Sequence, residues 1–223
     1  ILNELEQVKH KDINDDQLVS IIQDKMNHLQ QINTSESLYH LAKLYYHGEE
    51  IELAHETLIK ASKLQPLYSA SITRLASCYL SGEMGFKINK KKALELFELA
   101  AEQFREPIAL YNVAKMQLDT INDNMNDDLA MGIRQEAMQL LKECADQHND
   151  IHASYEYALY CHHHLQDEAL FLDYIQFCCH QHYLPAFPIL LSYYKEAIEQ
   201  AIETKNELQF VKLSNHYKRF NKL

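Results

Sequence analysis

The sequence predicts an all-α fold, a solenoid of antiparallel helix pairs, on three observations. Its 223 residues include only 4 Gly and 4 Pro, too few for the tight turns of a β-rich chain. Apolar residues recur at helical spacing almost everywhere along it. One short helical pattern also returns five times, at intervals of 34, 38, 44 and 33 residues, which are the periods of stacked helix hairpins. A hydrophobic fraction of 47% is that of a folded chain, not a disordered one.

At the N-terminus, Ile1, Leu2, Leu5 and Val8 suggest a short helix. Leu18, Ile21, Ile22, Met26, Leu29 and Ile32 form the stripe of a second, which Asn14 or Asp15 can cap. Residues 1–34 are therefore expected to be a helical pair. Residues 35–217 are expected to hold about five repeats, and residues 218–223 a short basic tail.

The first helix of each repeat carries one of five cores: Leu41-Ala42-x-x-Tyr45, Leu75-Ala76-x-x-Tyr79, Val113-Ala114-x-x-Gln117, Tyr157-Ala158-x-x-Cys161 and Leu190-Leu191-x-x-Tyr194. Four residues before each core stands a small residue, namely Ser37, Ser71, Ala109, Ala153 and Ala186. A small side chain lets a neighbouring helix approach, and the large one a turn later fills the groove between them. The second helices repeat a related spacing at Ala54/Leu58/Ala61, Ala93/Phe97/Ala100, Ala137/Leu141/Cys144 and Phe171/Ile175/Cys178. A fifth, around Leu208 to Tyr217, is the least regular. Gly48 and Gly82 stand where a helix stop favours a left-handed residue. Asn89 and Asn126 are placed to cap the helices that follow, and Pro107 and Pro185 fall at helix starts.

The clearest repeat reads Ser71-x-x-x-Leu75-Ala76-x-x-Tyr79-x-x-Gly82-x-x-Gly85, then Asn89-x-x-Lys92-Ala93-Leu94-x-Leu96-Phe97-x-x-Ala100-Ala101. It resembles a Sel1-like repeat, a relative of the tetratricopeptide repeat with a longer loop between its helices. The repeat over residues 35–66 lacks that loop and is more similar to a plain tetratricopeptide repeat. Later repeats depart further, with Gln117 and Cys161 in place of the Tyr and no counterpart of Gly82. The resemblance is strongest over residues 35–147. It implies a right-handed α-α superhelix that serves as a scaffold for protein binding, with no catalytic residues to carry over.

Charge narrows the function classes. With 21 Lys+Arg against 32 Asp+Glu the net charge is -11, and no basic cluster offers a face to nucleic acid. Residues 119–182 hold 12 acidic and 2 basic residues together with seven of the 13 His. Asp119, Asp123, Asp127 and Asp128 lead this stretch, which is a candidate docking surface for a partner with a basic face. No run approaches the roughly 18 apolar residues of a membrane span, so no membrane insertion is expected. The odd count of 5 Cys without regular spacing points to reduced, buried thiols and a cytoplasmic setting.

In such solenoids the first helices line the concave side. Tyr39, Lys43, Tyr46, Thr73, Ser77, Tyr111, Lys115, Tyr155 and Leu159 are the candidate partner-binding residues there. Tyr rings supply rigid amphipathic contact area. The expected function is a non-catalytic scaffold or adaptor for a protein or peptide, of the kind a bacterial regulator or immunity-type protein would be. No catalytic motif, metal ligand set or cofactor is assigned. Two alternatives stay open. One is a zinc-binding or hydrolytic protein using the fourth repeat, where Cys161, His162, His163, His164, Cys178, Cys179, His180 and His182 cluster in sequence. The other is a structural helical segment of a larger protein.

Overall fold

A computed structural model describes residues 15–122 and 124–221. Among them are eleven α-helices and no strand. The chain divides into two compact units, Ile1–Val113 and Ala114–Leu223. The first contains α1 (Asp15–Ile32), α2 (Ser35–His47), α3 (Ile51–Lys63), α4 (Ser69–Ser81) and α5 (Lys90–Phe104). The boundary falls inside α6 (Pro107–Leu118). The second contains α7 (Asp127–His148), α8 (Ile151–Tyr160), α9 (Glu168–His180), α10 (Ala186–Glu203) and α11 (Glu207–Phe220). None of the described helices is long and apolar enough to cross a membrane.

Within the first unit α2 packs on α3, α3 on α4 and α4 on α5, while α2 also touches α4. Only a few residues link α2 to α3, and two packed helices so joined run antiparallel. The register expected from the small residues holds. Ser37, Leu41 and Ala42 of α2 are buried, as are Ser71, Leu75 and Ala76 of α4. On the second helices Ala54, Leu58 and Ala61 of α3 and Ala93, Phe97 and Ala100 of α5 are buried as well. In the second unit α7 packs on α8, α8 on α9, α9 on α10 and α10 on α11. Ala137, Leu141 and Cys144, Ala153 and Ala158, and Phe171, Ile175 and Cys178 are all buried in this unit.

Ala76 is fully buried on a helix that has neighbours on two sides. Ala76→Leu is therefore expected to overpack the first unit and destabilise it by about 1–3 kcal/mol. Urea denaturation followed by circular dichroism reads this; an unchanged midpoint would show room beside α4.

Helix ends follow local chemistry. Thr34 and Ser37 close a reciprocal capping box, the Ser37 N–H donating to Thr34 Oγ1 at 3.1 Å and the Thr34 N–H to Ser37 Oγ at 2.8 Å. Asn89 Oδ1 accepts from the Lys92 N–H at 3.0 Å, and Asn126 Oδ1 from that of Asp128 at 2.9 Å. Pro107 opens α6 as expected. Gly82 is left-handed at φ 81°, its N–H bonded to the Cys78 carbonyl. Gly48 is not: its φ is -85°, and the left-handed residue is Glu49. With so few glycines, the left-handed stop falls on Arg105, Asn149 and Gln166 at three other helix ends.

Other expectations need adjustment. Ile1, Leu2, Leu5, Val8 and Asn14 lie outside the described residues, as does the side chain of Leu18. Among the described side chains of α1, Leu29 is buried, Ile22 and Met26 are half-buried, and Ile21 and Ile32 are exposed, so the seam is narrower there than the stripe suggested. The last helix extends through Phe220, which is 2% exposed, whereas Leu208 is 84% exposed. The last repeat thus packs through residues near its end, and Lys218 and Arg219 belong to the final turn of α11 rather than to a tail.

Candidate functional site

In the first unit the stripe Tyr39, Lys43 and Tyr46 runs along α2 at spacings of four and three residues, so the three side chains share one face. The Lys43 ammonium lies 5.7 Å from the Tyr39 ring centre. Tyr39 packs against Tyr68, with ring centres 5.5 Å apart, and Tyr68 packs in turn on His40. Arg74 of α4 reaches the same face. Its guanidinium sits 5.9 Å from the Tyr46 ring centre and forms an ion pair with Glu83 at 2.9 Å. Burial pushes the Tyr39 phenol above its ordinary value, with Arg74 opposing and Glu106 adding to the shift. Burial also lowers the His40 pKa, and the nearby Glu36 carboxylate opposes that shift. The face is half-buried and amphipathic: rigid rings with the Lys43 and Arg74 cations over them.

Two expected members of this face differ from the rest. Thr73 is 4% exposed, and its hydroxyl is buried without a hydrogen-bond partner. It points into the helix packing and is not available to a ligand in a groove. Ser77 stays half-buried, with its hydroxyl donating to the Thr73 carbonyl at 3.0 Å. Tyr111 is half-buried on α6. Arg74 and Tyr68 were not among the sequence candidates. Arg74 sits one place before the Leu75 core, a position that a search two residues either side of the core passes over.

The expected residues of the second unit form separate contacts. Lys115 donates to Glu156 at 2.7 Å. Tyr155 packs edge-on against Tyr183 at 5.2 Å. Leu159 lines a small cleft. Asp119, Asp127 and Asp128 are exposed, the last two in the first turn of α7, where negative charge complements the helix dipole. Asp123 lies outside the described residues. Elsewhere in the unit, Asp146 and Asp173 line a cleft of about 430 Å³ beside Tyr174 and Phe177. There Asp146 accepts from Lys142 and from Tyr174, the latter at 2.6 Å. Although burial opposes it, these two hydrogen bonds hold the Asp146 carboxyl below its ordinary value.

The Cys and His side chains of the fourth repeat do not converge. Among the described residues no three His, Cys, Asp or Glu are grouped to hold a metal ion. Cys161, Cys178 and Cys179 are fully buried, and burial pushes the Cys178 thiol up to about 12 and that of Cys179 to about 11. Such thiols are protonated packing groups, not nucleophiles. In comparisons with known proteins, no family model and no curated protein matches the chain.

Proposed function

We propose that the chain is a non-catalytic scaffold that binds a protein or peptide partner, its helix pairs stacking as a right-handed Sel1-like and tetratricopeptide-like superhelix. The observation that carries this is the face of the first unit on which Tyr39, Lys43 and Tyr46 of α2 meet Arg74 of α4. Aromatic and Arg side chains are those most enriched at binding hot spots. They sit here on successive first helices whose buried sides are fixed by small residues, so the face is preorganised. The five Cys are buried thiols, in keeping with a reducing, cytoplasmic setting.

The test compares wild type with Tyr39→Ala combined with Arg74→Ala, by affinity capture followed by titration of what is captured. Loss of one aromatic hot spot alone costs about 2 kcal/mol, roughly 30-fold in affinity. A partner held by wild type and lost by the double variant, with helicity unchanged, supports the proposal. A partner held equally by both would move the contact off this face.

A further inference from the structure

Residues 119–182 hold 12 acidic and only two basic residues, Arg134 and Lys142. Lys142 is engaged by Asp146 and Tyr174. Arg134 has a different setting. It lines a cleft of about 210 Å³ with His163 and His164, over a floor of Leu118, Met138 and Leu159. Glu156 also borders the cleft, but its carboxylate accepts from Lys115 at 2.7 Å.

The backbone explains why two of three adjacent histidines face this cleft. After α8 the chain makes a π turn over Cys161–Leu165 and stops at Gln166, left-handed at φ 53°. Across this wider turn the rings of His162 and His163 stay in contact, 4.9 Å between centres. His162 stacks on the buried Phe171 ring, 4.5 Å between centres. His163 and His164 are exposed and border the cleft, with His164 against the Tyr160 ring at 5.2 Å. Extra residues in a helical turn of this kind are frequent at functional sites.

We propose that Arg134, His163 and His164 form a binding site for a phosphate monoester, such as a phosphorylated side chain. Arg presents planar N–H donors that match phosphate oxygens. The two imidazoles add donors and, when protonated, two further charges opposite a dianion. The cleft is small enough to select a compact anion, and its apolar floor accommodates the group that carries it. The facing charged and titratable groups are Lys115 of α6, Arg134 of α7, Glu156 and Tyr160 of α8, the two histidines, and His162, whose ring centre lies 4.9 Å from that of His163. In the free protein burial, then Arg134, then His163 lower the His164 pKa. A bound anion relieves the repulsion from those two neighbours, so binding raises the His164 pKa, and by linkage it tightens as pH falls. The site is independent of the face on α2 and α4.

The experiment is a titration of the intact chain followed through the histidine ring resonances, at about pH 6 and about pH 7.5 and fixed ionic strength. Three probes are used: inorganic phosphate, acetate, and a phosphoserine peptide with an apolar neighbour. Phosphate is expected to shift the His163 and His164 resonances saturably and, with affinity counted per dianion because phosphate itself titrates in this range, more tightly at the lower pH, leaving His180 unmoved. Arg134→Gln is expected to weaken it by at least about tenfold, with helicity retained. His163→Gln with His164→Gln is expected to keep weak binding and lose its pH dependence. Tighter binding of the peptide than of phosphate assigns the site to a phosphorylated partner, and the reverse order to free phosphate. Equal binding of acetate, unsaturable shifts, or full binding by Arg134→Gln would overturn the proposal.

Discussion

Phe97→Ala is expected to destabilise the first unit by about 3–5 kcal/mol, a large share of the stability of an ordinary domain. Phe97 is fully buried in α5, with Ala93, Ala100 and Ala101 beside it on the same helix. Those alanines have already brought the neighbouring helix to close approach, so little remains that could move inward to fill the space. The loss therefore includes both the transfer energy of the ring and an open cavity. Phe97→Leu keeps most of the volume and is expected to cost less than about 1.5 kcal/mol. Urea denaturation of both variants separates the two contributions. A loss below about 1 kcal/mol for Phe97→Ala would mean that α4 and α5 collapse onto the site.

The packing of the first unit was legible because it is periodic. Ser71, Leu75 and Ala76, then Ala93, Phe97 and Ala100, are spaced by helical turns, and each is buried. What escaped the pattern lies off that period. Ser35 links three segments: its hydroxyl donates to the Ala61 carbonyl at 2.7 Å, accepts from the Tyr68 N–H at 3.2 Å and meets the Ser71 hydroxyl at 3.3 Å. No spacing rule pairs a helix's first residue with a carbonyl 26 residues later. The loop after α4 contributes Met84 and Phe86 to the core of the first unit. Phe86 stacks on His55 of α3 at 3.8 Å, and a loop has no period from which that could be read.

The candidate site divided along the same line. Tyr39, Lys43 and Tyr46 followed from helical spacing and share a face, whereas Thr73, chosen by the same offset, is buried. The offset counts residues along one helix. Which side is covered depends on where the next helix packs, and α4 has both α2 and α5 against it. The triplet 162–164 shows the same limit. Three identical side chains in sequence are sorted into one packed ring and two cleft residues by a single π turn.

Between about pH 8.5 and pH 10 the protein is expected to lose several kcal/mol of stability, and its buried thiols are the cause. Cys78, Cys144, Cys161, Cys178 and Cys179 are all fully buried. Burial pushes Cys78 up to about 11 and Cys144 up to about 12, and it raises the other three as well. In the unfolded chain a thiol titrates near ~8.5. The native state therefore keeps protons that the unfolded state has already released. The stabilisation is complete below the unfolded value and is lost as pH climbs toward the folded ones, at about 1.4 kcal/mol per pH unit for each thiol. The phenols of Tyr157 and Tyr193, both pushed up to about 12, act in the same direction above about pH 10. Urea midpoints should accordingly be level from about pH 7 to about pH 8 and then fall. Cys144→Ala exchanges one small buried group for another and should reduce the slope, since it removes one of the thiols whose protons the native state retains. A level midpoint across the alkaline range would show that the thiolates reach water in the native state, and a slope unaltered by Cys144→Ala would show that this thiol does not contribute to the loss.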